Sequence, residues 1–110
     1  MVYDETLAAR VRKTMSRRKN MVEKKLFGGV GFMLSGNMCV AVWKEFLIVR
    51  VGREGYESAL NQPFVTKFDI TGRAMTGWVM VDPGGLEGDD DLRRWVSLAV
   101  RFVKTLPEKG

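Results

Sequence analysis

Histidine is absent from all 110 residues, which removes the commonest general base near neutral pH and the commonest metal ligand. A single cysteine, Cys39, lies inside the apolar run from Met38 to Trp43 with no imidazole to activate it, so it reads as a core side chain rather than a nucleophile. With one thiol, a zinc site would need carboxylates for nearly all of its ligands. Asp89, Asp90 and Asp91 are consecutive, and consecutive aspartates do not converge on one calcium ion as spaced ligands do; they read as a helix cap with favourable charge. The run Phe27-Gly28-Gly29-Val30-Gly31-Phe32 invites a nucleotide-binding reading. Gly29-x-Gly31 is followed by Leu34 where a dinucleotide fingerprint needs glycine or alanine, and no phosphate-binding Gly-Lys-Ser/Thr occurs. A bent strand beside a close-packed neighbour is the expectation there. No catalytic, cofactor-binding or metal-binding residue is assigned, and the chain is expected not to be an enzyme.

Two further groups of residues carry charge that chemistry can use. Arg50 breaks an otherwise apolar strand and Arg73 sits in the loop before the last strand. Each is expected to hold a carboxylate or a backbone carbonyl, or else a bound anion. The second group is N-terminal. Residues 1–25 hold eight bases and three acids, whereas the other 85 residues hold ten of each, so the net charge of +5 is an N-terminal excess. Arg10, Lys13, Arg17 and Arg18 are expected to point into solvent from a helix. They form either a solvated face or a weak, non-specific nucleic-acid contact through phosphates.

The elements that position these residues follow from periodicity and turn chemistry. Residues 4–18 read as a helix: Asp4 is its N-cap, Leu7, Val11 and Met15 form an apolar stripe, and Asn20 closes it. Residues 24–34, Met38 to Trp43 and Phe46 to Val51 read as three strands of a meander, with Ser35-Gly36-Asn37 and Lys44-Glu45 as the connections. A short helix covers 53–60, and Lys67 to Ile70 and Gly77 to Val81 read as two more strands. A last helix opens at Asp89–Asp91 and runs to Leu106 with Trp95 and Phe102 in its apolar face, and Pro107 stops it. The predicted fold is α+β, a two-layer α-β(3)-α-β(2)-α arrangement with a five-stranded antiparallel sheet, in a single domain over 1–110. Met38 to Trp43 is apolar on both faces and only Arg50 breaks the run from Phe46 to Val51, so both faces of the central strands need cover. The three helices, a second copy of the chain or a partner protein would each provide it.

One cysteine, no signal-peptide core and no long apolar run give the expectation of a soluble cytoplasmic protein.

The order of short motifs is familiar. Glu23-Lys24-Lys25-Leu26-Phe27-Gly28-Gly29-Val30-Gly31-Phe32-Met33, then Gly36-Asn37-Met38-Cys39 and Leu47-Ile48-Val49-Arg50-Val51-Gly52, resemble the TfoX N-terminal domain family. Phe68-Asp69-Ile70-Thr71-Gly72-Arg73-Ala74-Met75, Trp78-Val79-Met80-Val81-Asp82 and the helix ending at Leu106-Pro107 continue the resemblance, which spans residues 2–107. The resemblance implies a secretion-chaperone-like fold and a link to the bacterial TfoX/Sxy regulators of natural competence. Those regulators act as transcriptional co-activators with the cyclic-AMP receptor protein and usually carry a second, C-terminal helical domain that this chain does not contain. The family implies no catalytic residues and no cofactor. The expected function is a non-enzymatic regulatory module acting through protein–protein contacts, with a homodimer expected and nucleic-acid binding as the alternative.

Overall fold

The computed structural model describes residues 3–26, 28–69, 72 and 74–107. The chain runs α1 (Glu5–Met15), β1 (Met21–Leu26), β2 (Gly29–Leu34), β3 (Asn37–Trp43), β4 (Phe46–Arg50), α2 (Gly52–Leu60), β5 (Val65–Lys67), β6 (Trp78–Val81) and α3 (Asp89–Val103). The fold is α+β. All pairings are antiparallel, in one sheet of order β1-β2-β3-β4-β6-β5. The sheet has six strands, not five. The difference lies at 21–34, where two strands meet at a tight turn: Leu26 pairs with Gly29, and Gly28 between them takes φ 77°, a conformation glycine adopts without a Cβ penalty.

Helix α1 starts as its sequence dictates, with the Asp4 carboxylate accepting from the Leu7 amide at 3.0 Å. It ends earlier than its periodicity suggests. Ser16 is the C-cap, and Asn20 instead sits at φ 64° in the turn before β1, its carbonyl accepting from the Ser35 amide. At the other end of the chain, Gly88 is the N-cap of α3 and no side chain caps it. Asp89, Asp90 and Asp91 are its first turn. They act through charge at the positive end of the helix rather than as a cap. Strand β5 lies two residues before its expected start; of the expected Lys67–Ile70 span, Ile70 lies outside the described residues.

The main core joins the stripes of all three helices to one face of the sheet. Leu7, Val11 and Met15 of α1, Tyr56 and Ala59 of α2, and Leu92, Trp95, Val96, Ala99 and Val103 of α3 cluster with Val40, Val42, Leu47, Val49, Val79 and Val81. A second cluster contains no helix residue. It is built from Ala41, Ile48 and Phe68, with half-buried Met38, Trp43, Phe46, Trp78 and Met80 around them. The double-sided apolar character of β3 and β4 is thus real, and the helices' buried residues serve only one of the two sides. No described helix is long and apolar enough to cross a membrane.

Candidate functional site

The strand alternation decides which side chains meet on the face without helices. On β4, Leu47 and Val49 join the helices, which leaves Phe46, Ile48 and Arg50 on the opposite side; on β6, Val79 and Val81 leave Trp78 and Met80. Ile48 is nearly fully buried beneath its neighbours, whereas the aromatic and methionine side chains around it keep part of their surface in solvent. Trp43 and Phe46 face each other across the β3–β4 hairpin with ring centroids 6.5 Å apart, and Phe68 and Trp78 form a second tilted pair at 6.5 Å. Such pairs are rigid and contribute attraction beyond simple burial.

Cations flank these rings. The Lys44 ammonium lies 4.6 Å from the Trp43 ring centre, and the Arg50 guanidinium 5.1 Å from that of Trp78 and 5.7 Å from that of Phe102. Arg50 also donates a long hydrogen bond, 3.4 Å, to the Met38 carbonyl. Of the partners expected for it, the backbone carbonyl is present, and no carboxylate within salt-bridge distance occurs among the described residues. Arg73, the other expected anion or ion-pair residue, lies outside the described residues.

The four basic residues expected to share a solvated helix face separate. Lys13 and Arg17 are exposed. Arg10 is not free: its guanidinium donates to the Leu86 carbonyl at 2.7 Å and meets Asp89 at 3.4 Å, tying α1 to the start of α3. Arg18 lies beyond the end of α1, half-buried, with its Nε sealed from solvent. Arg12, which carried no expectation, pairs with Glu23 through contacts of 2.5 and 2.8 Å and pins the edge strand β1 to α1. Hydrogen bonding to Arg12 holds the Glu23 carboxyl below its ordinary value.

Cys39 is fully buried in the main core, as its apolar neighbours imply. Burial pushes its thiol up to about 12, against a smaller opposing pull from Arg18 and Arg50. A thiol held neutral is a poor nucleophile. The shift has a measurable consequence. Because the folded value lies above the unfolded value of about 8.5, the stabilisation is intact below pH 8.5 and declines as pH rises toward 12. By pH 9.5 the wild type is expected to lose about 1 kcal/mol relative to Cys39→Ala, read from urea midpoints at pH 7 and 9.5. Parallel pH slopes for the two proteins would show that the folded thiol ionises freely.

Signals for the apolar face were present in the sequence, since Met38 to Trp43 is apolar at every position and only Arg50 breaks the run in β4. The sheltering of Arg18 beyond the end of α1 had no such signal. No group of three or more His, Cys, Asp or Glu that could hold a metal occurs among the described residues.

Comparison with known proteins agrees with the order of motifs. No curated protein and no solved structure matches the chain. The family model described as the TfoX N-terminal domain matches residues 13–103, from the last three residues of α1 through the end of α3, and the chain therefore belongs to the TfoX N-terminal domain family.

Proposed function

We propose that this chain is a non-enzymatic, cytoplasmic regulatory module of the bacterial TfoX type, which docks a partner protein on the side of its sheet that the helices leave open. The observation that carries this reading is the half-buried set Met38, Trp43, Phe46, Trp78 and Met80 around Ile48. In a two-layer arrangement this set forms a continuous apolar surface. Patches of this kind mark interaction sites. Tryptophan and methionine are enriched at interface centres, and methionine adapts to irregular partners. Lys44 and Arg50, at the rings of Trp43 and Trp78, favour a partner segment that is apolar with acidic flanks. The absence of histidine and the sealed Cys39 thiol support a role without catalysis. The kinship with TfoX/Sxy regulators supports a place in competence or transcription control. Weak nucleic-acid binding through α1 has less support, because Arg10 and Arg12 are already engaged with acidic residues.

Site-specific photo-crosslinking tests the proposal. A benzophenone amino acid at Trp43, on this face, is expected to capture a distinct protein in the native host, whereas the same group at Ser97, exposed on α3, captures none. A Trp43 adduct of twice the chain mass, matched by a dimer in sedimentation at micromolar concentration, would make the occupant a second copy. Equal capture from both positions would remove the assignment of the face.

A further inference from the structure

The basic residues that the sheet face does not use converge elsewhere. The segment after α1, the β2–β3 turn and the segment after α3 enclose an open cleft of about 680 Å³. Arg17, Arg18, Lys19 and Lys104 line it, and no acidic residue does. Leu34, Val103 and Leu106 form an apolar wall, and Thr14, Asn20 and Ser35 add polar groups. The local sequence explains the shape. Asn20 and Ser35 both adopt left-handed backbone, φ 64° and 51°, and the Ser35 amide donates to the Asn20 carbonyl at 3.0 Å. That bond locks the turn before β1 against the β2–β3 turn. The Asn37 amide group donates to the Pro107 carbonyl at 2.9 Å and holds the chain beyond α3 against the same hairpin.

Cations at this place have one ordinary explanation, since α1 and α3 both end beside the cleft and helix C-termini attract positive charge. The magnitudes do not balance. Each helix end is equivalent to about −0.5 charge, so two ends offset about one of the four cations. The second observation is Arg18. Its Nε is buried with no hydrogen-bond partner among the described residues, a condition that costs stability. Arg18 also lies close enough to Cys39 for its charge to act on the thiol. Arg18 is therefore a half-buried cation on the wall of the cleft rather than a fully exposed one.

We propose that the cleft binds a small organic ligand carrying two or more phosphate charges, with the phosphates on Arg17, Arg18, Lys19 and Lys104 and the uncharged body against Leu34, Val103 and Leu106. The volume lies in the ordinary range of small-molecule sites, about 300–1,000 Å³. Guanidinium groups suit phosphate oxygens in geometry as well as charge. The proposal is independent of protein docking on the sheet face.

Titrations of the isotope-labelled full chain with inorganic pyrophosphate and with ADP, followed by amide NMR shifts, test it. Both are expected to give saturable shifts confined to 17–20, 34–35 and 103–106, and ADP is expected to bind more tightly because its body meets the apolar wall. Lys104→Gln is expected to weaken ADP binding about tenfold, the loss of one charge-assisted contact. Arg18→Gln is expected to weaken it at least as much, and Lys13→Gln, outside the cleft, to leave it unchanged. Lys104 is exposed, so its substitution reads binding even where the Arg18 variant is unstable. Pyrophosphate and ADP binding equally would overturn the role of the apolar wall. Non-saturable shifts, an equal loss in Lys13→Gln, or binding only to an oligonucleotide control would overturn the site itself.

Discussion

Truncation of Trp95 to alanine is expected to destabilise the protein by about 3–5 kcal/mol. Trp95 is 1% exposed and heads the fully buried side chains by volume. It projects from α3 into the cluster shared by α1 and the central strands, so removal leaves a cavity lined from several directions. The cost combines lost transfer free energy with lost packing, and a rigid sheet cannot collapse to fill the space. Against a total stability of about 5–15 kcal/mol for a domain of this kind, most of the margin disappears. Phe102→Ala provides the internal comparison. Periodicity places both residues on one apolar face, but Phe102 is only half-buried, with its ring over Gly52 and beside Arg50. Its truncation is expected to cost clearly less, about 1–2 kcal/mol, because part of the ring already meets solvent and it lies at the margin of the core. Urea denaturation of the two variants measures the difference. A loss below 1 kcal/mol for Trp95→Ala, or equal losses for both, would mean that α3 does not pack as described.

The contrast between these two aromatics shows where periodicity stops informing. A 3.6-residue pattern identifies the buried stripe of α3, and Leu92, Trp95, Val96, Ala99 and Val103 are indeed buried. It does not say that the helix ends at Val103, short of the expected Leu106, or that Phe102 packs at the margin against Gly52 and Arg50, and both Phe102 and Leu106 are only half-buried. Strand β1 was hidden for a different reason. Met21-Val22-Glu23-Lys24-Lys25-Leu26 carries three charges in six residues, and its last three residues read as the start of a single strand running from 24 to 34. Those charges belong to an edge strand, where they discourage pairing with another chain. Asp89–Asp91 show a third kind of ambiguity. An aspartate serves equally as a cap or as first-turn charge, and a shift of one residue in the helix start decides between them.

The two candidate surfaces differ in legibility on the same grounds. The open sheet face could be foreseen in part, because a strand apolar at every position declares that both its sides are covered. Which side the helices take is set by chain connections, and no residue of β3 or β4 encodes it. The basic cleft depends on closure between residues far apart in sequence: Asn20 with Ser35, and Asn37 with Pro107. Arg17, Arg18 and Lys19 are visible as charge, but the sheltering of Arg18 and the arrival of Lys104 beside them follow only from the folded chain.

Gly29 offers the second large effect, and its sign distinguishes packing from propensity. Replacing glycine by alanine in an extended segment ordinarily gains stability, since glycine loses more backbone freedom on folding. At Gly29 the added Cβ would lie 2.4 Å from the Val42 carbonyl oxygen. That oxygen belongs to the backbone of β3, beside the paired positions Val30 and Val42, so it cannot rotate away as a side-chain tip does. Relief requires β2 and β3 to separate at the start of β2. Gly29→Ala is therefore expected to cost about 3 kcal/mol, the upper end of the overpacking range. Gly55 in α2 is the control: its added Cβ meets only the Val51 Cβ at 3.7 Å, an ordinary contact. Gly55→Ala is expected to raise stability by about 0.5–1 kcal/mol through helix propensity and the unfolded chain. Urea midpoints should thus move in opposite directions for the two substitutions. A stabilised Gly29→Ala protein would show that β2 does not approach β3 this closely. The glycines of 28–31 would then need an explanation other than the tight turn and close strand contact described here.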